Sequence, residues 1–276
     1  MSKLYIVSTP IGNLGDMTYR AVETLREVDF VASEDTRVTM RLLTHFGIQK
    51  PMVSYYEHNR AQRGDQIVRR ILAGESCALT TDAGTPAISD PGSMLVRQCR
   101  EEGIEVVTVP GCCAAAAAFS LAGLENGRFT FEGFLSMNKR GRKEHLQSLK
   151  NEARPMIFYE APHKLRSTLD DMKENFGGER RIFIARELTK LHEQSVWMTI
   201  DEAIKNYEEN PPKGEFVLIV DGKENKPGAS ELEYTLADAI KIAEELIEGG
   251  MSSKDASREA SAKTGLPRNS IYAGIK

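Results

Sequence analysis

The sequence lacks the long apolar run that a membrane-spanning helix needs. Of its 276 residues, 41% are hydrophobic and 28% are charged, but no stretch approaches the roughly 18 apolar residues of a spanning segment. The chain opens on a strand-like pattern at residues 3–7, without the features of a signal peptide. We therefore expect a cytosolic globular protein with one large or two modest domains and no membrane partner.

The sequence also has few cysteines and histidines and a small net charge. The four cysteines form no Cys-x-x-Cys motif, and no Cys/His cluster has zinc-site spacing. No metal is therefore implied, and we expect reduced thiols of mainly structural use. The formal net charge of -4 argues against a non-specific nucleic-acid binder, although an RNA enzyme with local basic patches remains compatible with it.

The most informative stretch is a polar loop between a strand and a helix. Residues 80–92 read Thr-Thr-Asp-Ala-Gly-Thr-Pro-Ala-Ile-Ser-Asp-Pro-Gly, after the apolar run 77–79 and before a helical pattern that starts near Ser93. Open α/β sheets place their ligand sites in such loops. A plain strand-to-helix connection is the alternative, but this loop is longer than such a joint usually requires.

Strand and helix patterns alternate on both sides of this loop. The alternation from residue 3 to 109 predicts a parallel sheet with right-handed crossovers, and an Ala-rich helix that can lie close to a sheet or a ligand follows it. Further strand patterns then predict a second α/β domain. We therefore predict two α/β domains over residues 1–116 and 117–222, a polar linker over 223–230, and a helical segment over 231–276.

Several other segments allow two interpretations each. The glycine loop 9–16 is a weak signal for a nucleotide-like ligand. Residues 34–37, Glu-Asp-Thr-Arg, could contact a ligand or cap the next helix. The basic run 139–143 reads as a solvated loop or as a phosphate contact. The tail over 253–272 reads as a helix-turn-helix or as a small helical cap.

At least seven of these segments, in this order, resemble motifs of the ribosomal RNA small subunit methyltransferase I family, within the tetrapyrrole methylase superfamily. The matching segments are 9–16, 34–37, 80–92, 131–135 (Phe-Glu-Gly-Phe-Leu), 158–165 (Phe-Tyr-Glu-Ala-Pro-His-Lys-Leu), 185–190 (Ala-Arg-Glu-Leu-Thr-Lys) and 214–220 (Gly-Glu-Phe-Val-Leu-Ile-Val). The chain departs from the family pattern at Cys112 and Cys113, where the family usually has Pro-Ser, and at Lys164, which replaces Arg.

The resemblance implies a fold and an activity. The fold would be two α/β domains of the tetrapyrrole-methylase type with the cofactor cleft between them, plus a C-terminal helical segment. The activity would be methylation of a cytidine ribose 2′-hydroxyl in the decoding region of 16S rRNA, with S-adenosyl-L-methionine as cofactor. The implied partner is the small ribosomal subunit, and the superfamily implies a homodimer.

The resemblance also implies roles for individual residues. Glu187 and Lys190 would position or activate the hydroxyl, with His163 in reserve; without the resemblance, Glu187 and Lys190 read equally well as a surface ion pair, and His163 as a helix N-terminal residue. The expected cofactor-binding residues are Pro10, Asp82, Ala83, Gly84, Thr85, Pro86, Ile88, Ser89, Pro110, Thr130, Phe131, Tyr159 and Leu188. The expected substrate-binding residues are Asn13, Arg37, His58, Lys139, Arg140, Arg142, Lys143 and Lys164.

Two other functions remain open at this point. One is a small-molecule methyltransferase that acts on a tetrapyrrole; the basic run 139–143 and the Arg-rich helix near 61–73 favour RNA over that substrate. The other is a non-enzymatic RNA-binding or ribosome-assembly factor that uses the tail. Affinity for S-adenosylmethionine would distinguish this factor from an enzyme.

Overall fold

The computed structural model describes residues 2–125, 127–223, 235–264 and 266–275. The chain divides into two compact units, Met1–Lys223 and Glu224–Lys276. Two five-stranded sheets form the first unit, and the predicted boundary between two domains at residue 116 stays a prediction. Beyond Lys223, the predicted linker lies outside the described residues.

Alternating strands and helices build the first sheet. Their bounds are β1 Lys3–Val7, α1 Tyr19–Glu27, β2 Phe30–Ser33, α2 Thr36–His45, β3 Met52–Ser54, α3 Arg60–Leu72, β4 Cys77–Thr80, α4 Ser93–Glu101 and β5 Glu105–Val109. All neighbours are parallel in the order β3-β2-β4-β1-β5, which confirms the predicted parallel sheet. Strands β2 and β4 are buried along their whole length, as expected where helices cover both faces.

The parallel order brings four loops to one edge of this sheet. The chain leaves β1 at Ser8, β2 at Glu34, β4 at Thr81 and β5 at Pro110. Because β2, β4, β1 and β5 are consecutive neighbours, these loops lie side by side. The central loop 80–92 therefore stands between the loops that follow β2 and β1.

The second sheet is mixed. Its elements, with the helix that precedes them, are α5 Ala114–Ala122, β6 Thr130–Phe134, α6 Lys139–Ser148, β7 Met156–Glu160, α7 Leu165–Phe176, β8 Arg181–Arg186, β9 Gln194–Thr199, α8 Ile200–Glu209 and β10 Phe216–Val220. In the order β6-β7-β10-β8-β9, only β6 and β7 pair in parallel. The apolar strand β10 is buried throughout at the centre of the sheet.

The Ala-rich helix α5 packs on this second sheet. Ala115, Ala118 and Ala122 are buried in one cluster with strand residues such as Ile157 and Phe183. Their short side chains allow the helix backbone to approach the strands closely. This packing confirms the prediction that the helix lies close to a sheet.

The basic run 139–143 is not a loop, so the solvated-loop interpretation is wrong. The run forms the start of α6, and the Asn138 side chain caps this helix by accepting a hydrogen bond from the Arg140 amide. Leu146 buries the helix against the core. Asn138 is the helix-start signal that the charge run obscured.

The described residues of the second unit form three helices: α9 Leu236–Glu248, α10 Ser253–Thr264 and α11 Arg268–Gly274. They enclose a small core of their own, whose buried members are Ala239, Ala243, Ala256, Ala260 and Ile271. The helical tail is thus confirmed, and its nucleic-acid-binding role stays a prediction. Within the described residues, no helix has both the length and the apolar character to cross a membrane.

Removing a buried side chain from β10 should destabilise the first unit. Leu218 is fully buried at the centre of the second sheet, so Leu218→Ala should lower the free energy of unfolding by about 2–5 kcal/mol. Val196→Ala, on the edge strand β9 at a side chain that is 44% exposed, is the control and should cost well under half of that. Urea unfolding followed by circular dichroism measures both, and equal costs would contradict the assigned core.

Candidate active site

Backbone hydrogen bonds fix the central loop to the first loop. The Thr9 amide donates to the Gly84 carbonyl at 2.8 Å, and the Gly84 amide donates to the Thr9 carbonyl at 3.0 Å. The Thr85 hydroxyl, 2.9 Å from the Ser8 hydroxyl, donates to the Cys112 carbonyl at 2.9 Å. The loops that follow β1, β4 and β5 therefore form one continuous wall.

A cavity of about 500 Å³ lies between this wall and the second sheet. The central loop and the start of α5 line one side, and the carboxyl ends of β6 and β7 with the amino end of β10 line the other. We call it the larger cavity; its lining residues are Ile11, Glu34, Asp82–Gly84, Thr85, Ile88–Asp90, Cys113, Ala114, Phe134, Tyr159–Pro162, Leu188 and Glu215–Val217.

The larger cavity is acidic. Its described lining contains five carboxylates and no cationic side chain; the carboxylates are those of Glu34, Asp82, Asp90, Glu160 and Glu215. Burial, followed by the charge of Glu34, raises the pKa of Asp90 to about 6. Burial also raises the pKa of Asp82. A cationic ligand would stabilise these carboxylates in their ionised form.

A second cavity of about 370 Å³ lies beside the first. We call it the smaller cavity. It lies between the first loop, residues 9–14, and helix α2, and Lys190 reaches it from the end of β8. Four residues line both cavities: Ile11, Asp82, Ala83 and Glu215. The cavities therefore share a wall.

Lys190 is held in place by two carboxylates. Its Nζ donates to Glu187 Oε1 at 2.7 Å and to Glu215 Oε2 at 2.8 Å. Burial lowers the pKa of Lys190, but these hydrogen bonds outweigh burial and the net pKa is raised. The hydrogen bond from Lys190 lowers the pKa of Glu187. The pair is therefore an ammonium and a carboxylate near neutral pH.

The backbone around this ion pair is strained. Glu187 and Thr189 have φ values of 53° and 67°, in the left-handed region that residues with a side chain rarely adopt. A Cβ at Gly12 would lie 2.5 Å from Lys190 Cγ, and one at Gly214 would clash with Glu187 Cδ. Two glycines thus leave the space that these side chains fill, and strain of this kind clusters at functional sites.

Most residues predicted to bind the cofactor line the larger cavity: Asp82, Ala83, Gly84, Thr85, Ile88, Ser89, Tyr159 and Leu188. Pro10 lines only the smaller cavity. Four others line neither cavity: Pro86, Pro110, Thr130 and Phe131. Phe131 instead packs edge-to-face against Tyr159, with ring centroids 5.1 Å apart.

The predicted catalytic residues do not all lie at the cavities. Lys190 lines the smaller cavity, and Glu187 contacts it through Lys190. His163 is exposed in the turn before α7 and lines neither cavity. Its role stays a prediction.

No predicted substrate-binding residue lines either cavity. Arg37 forms a fork with Asp35, whose carboxylate also accepts the Arg37 amide at the start of α2. Asp35 therefore caps a helix, whereas its neighbour Glu34 lines the larger cavity. Asn13 caps the short 3₁₀ turn Leu14–Asp16.

The remaining predicted substrate-binding residues lie on the surface. On α6, Arg140 pairs with Glu144 on the same helix, and Arg142 and Lys143 pair with Asp171 and Glu174 on α7. The other three are exposed or half-buried: His58 beside Tyr56, Lys139 at the start of α6 and Lys164 at the start of α7.

Four carboxylates of the larger cavity were not among the predicted site residues; one of them, Glu34, directly follows β2 in the segment 34–37. Asp90 lies within the predicted ligand loop, Glu160 ends β7, and Glu215 directly precedes β10. In the sequence, the only feature that points to Glu160 and Glu215 is an acidic residue at the end of a buried strand. That signal becomes specific only once the strand order is known, because β7 and β10 are antiparallel neighbours.

Sequence comparisons identify relatives over nearly the whole chain. The family model "Tetrapyrrole (Corrin/Porphyrin) Methylases" matches residues 3–204. Ribosomal RNA small subunit methyltransferase I of Synechocystis sp. is 48% identical over 99% of this chain and 96% of its own length. The Haemophilus influenzae protein of the same name is 45% identical over 98% of this chain and 94% of its own length.

Solved structures share the fold. Uroporphyrin-III C-methyltransferase from Thermus thermophilus, in complex with S-adenosyl homocysteine, matches with a TM-score of 0.57 and 15% sequence identity. The match covers 80% of this chain and 98% of that one. The predicted fold, two sheets of α/β type followed by C-terminal helices, is therefore confirmed.

Substitution of Gly214, which lies beside Glu187, should destabilise the protein more than substitution of Gly47, which has free space around it. In Gly214→Ala, the alanine would have to adopt a left-handed φ of 81°, and its Cβ would contact Glu187. At Gly47, where φ is 65°, a Cβ would have no neighbouring atom within 4 Å. We expect Gly47→Ala to lower the free energy of unfolding by about 1–2 kcal/mol and Gly214→Ala to lower it by at least about 1 kcal/mol more. Equal costs in urea unfolding would contradict the close packing around Glu187.

Proposed function

The chain belongs to the ribosomal RNA small subunit methyltransferase I family of tetrapyrrole methylases, and from that premise we propose that it methylates 16S rRNA. The reaction is transfer of a methyl group from S-adenosyl-L-methionine to a cytidine ribose 2′-hydroxyl in the decoding region. The observation that carries the proposal is the acidic larger cavity, built on the loop that resembles the family's signature. S-adenosylmethionine carries a positive sulfonium, and no cationic side chain is among the described residues that line the cavity; of its five carboxylates, Glu215 is paired with Lys190.

The larger cavity fits this cofactor in size and chemistry. Its volume of about 500 Å³ lies within the range of small-molecule sites, which combine apolar walls with a few oriented polar groups. Apolar contacts come from Ile88, Leu188 and Val217, and backbone groups of residues 82–85 line the opposite side. When bound, S-adenosylmethionine supplies a methyl carbon made electrophilic by its positively charged sulfur.

The residues of the chain must align an acceptor hydroxyl, whose proton passes to solvent water as its oxygen is methylated. We assign the alignment to Lys190, whose ammonium is fixed by Glu187 and Glu215 at the wall shared by the two cavities. An ammonium beside a hydroxyl stabilises the negative charge that develops on its oxygen. Glu187 is better suited to hold Lys190 than to accept a proton, because its pKa is lowered.

We also propose the partners of the protein and its location in the cell. The small ribosomal subunit and its 16S rRNA are the partners, and cytoplasmic localisation follows from that substrate. The names of the relatives, ribosomal RNA methyltransferases, favour RNA over a tetrapyrrole. We retain the homodimer, and the substrate-binding roles of Asn13, Arg37, His58, Lys164 and the basic residues of α6, as proposals drawn from the family resemblance.

A transfer assay tests the proposed function. Purified protein is incubated with radiolabelled S-adenosylmethionine and unmodified small subunits, with free 16S rRNA and a tetrapyrrole precursor in parallel. Label recovered in 2′-O-methylcytidine is the expected result. Label on the tetrapyrrole, or no binding of the cofactor, would overturn the proposal.

Cofactor affinity should depend on the ionisation of Asp90. Its pKa of about 6 is raised, so the carboxyl becomes neutral as the pH falls through 6, and a cationic ligand then loses its partner. If only the ionised form binds, the Kd for S-adenosylmethionine should be about tenfold higher at pH 5 than at pH 7.5. Calorimetry measures this; Asp90→Asn should bind weakly at both pH values, and a constant wild-type Kd would contradict the assignment.

Loss of the Lys190 ammonium should slow transfer without weakening cofactor binding. We expect Lys190→Met to lower kcat by about 10²–10³-fold and to leave the Kd for S-adenosylmethionine within about twofold. Lys173→Met is the matched control, because Lys173 is also ion-paired, to Asp201, but lies on α7 outside both cavities. Wild-type turnover in Lys190→Met would exclude the proposed role.

A further inference from the structure

The two cavities differ in charge. The described lining of the larger one has five carboxylates and no cation. The smaller one carries two cations, Arg41 and Lys190, against two carboxylates, Asp82 and Glu215. A cationic ligand therefore favours the larger cavity, whereas the smaller cavity, where cationic and acidic lining side chains are equal in number, is the better of the two for a ligand that carries phosphate groups.

We infer that the smaller cavity receives the acceptor nucleotide of the RNA, while the larger cavity holds the cofactor. This inference rests on the proposed function and deepens it. The shared wall supports it, because methyl transfer requires donor carbon and acceptor oxygen to approach to about 3–3.5 Å. Ligands in the two cavities would meet at Asp82 and Ala83, which line both.

The lining of the smaller cavity suits a single nucleotide. Its volume of about 370 Å³ is that of a site for one small ligand rather than for a duplex. The buried hydroxyl residues Thr9, Thr39 and Thr81 line it. The Thr9 and Thr81 hydroxyls donate to the Thr81 carbonyl and to Glu34, so their oxygens are left to accept hydrogen bonds from a base edge or a ribose. Leu14 and Leu42 add apolar surface on which a base can rest.

The position of the ammonium also fits this ligand. Lys190 lies against Gly12, where a Cβ would clash with its Cγ, and Glu187 and Glu215 fix its Nζ. A nucleotide in the cavity would therefore meet a cation whose position is set before binding. Such a nucleotide must leave the base stack of its neighbours, as single-stranded RNA segments readily do.

Three tryptophan substitutions can fill one cavity at a time. Leu14→Trp and Leu42→Trp fill the smaller cavity, whereas Ile88→Trp fills the larger one; Leu14 and Ile88 are 43% and 49% exposed, so folding should tolerate the added volume. Met40→Trp is the control, since Met40 lies on α2 beside Leu42, is 53% exposed and lines neither cavity.

For each variant, the Kd for S-adenosylmethionine and the KM for small subunits are measured. Leu14→Trp and Leu42→Trp should raise the KM at least about tenfold, with the cofactor Kd within about twofold of wild type. Ile88→Trp should raise the cofactor Kd at least about tenfold, and Met40→Trp should change neither. An unchanged cofactor Kd also demonstrates that a variant is folded.

Two results would overturn the inference while the proposed function stands. The first is a wild-type KM for small subunits in both Leu14→Trp and Leu42→Trp. The second is loss of cofactor affinity in these variants, which would assign the smaller cavity to the cofactor. If the wild-type protein transfers no methyl group to RNA, the proposed function itself fails.

Discussion

The site depends on the pair of backbone hydrogen bonds between Thr9 and Gly84. They join the loop after β1 to the loop after β4, which are neighbouring strands of the parallel sheet. The joined loops form the wall on whose two sides the cavities lie. Backbone bonds of this kind do not depend on side-chain ionisation, so the wall can remain fixed while the carboxylates beside it change their charge.

The two cavities on either side of this wall differ in charge. Burial of Asp90, followed by the nearby charges of Glu34 and Asp82, disfavours its ionised form in the free protein and raises its pKa. A cationic cofactor stabilises that form. On the other side, Lys190 is fixed between Glu187 and a second carboxylate on a strained backbone. Proteins retain such departures from local preference mainly where function requires them.

The parallel sheet, the ligand loop and the order of elements could be predicted from the sequence. Hydrophobic periodicity and turn residues, which indicate these features, are local properties of the sequence. Strand β3 was not predicted from the sequence, because its three half-buried residues are too few to show a hydrophobic alternation. The basic run was misread as a loop because its charges obscured Asn138, the residue that caps helix α6. Glu160 and Glu215 could not be placed at the cavity from sequence, because only the antiparallel pairing of β7 with β10 brings them together.

A crystal structure of the protein with S-adenosyl homocysteine would show which of the two cavities holds the cofactor. We expect the ligand in the larger cavity, with its sulfur towards the wall formed by Asp82 and Ala83 and with the smaller cavity still open beside Lys190. Ligand density in the smaller cavity, or a sulfur atom that faces away from the shared wall, would contradict this expectation.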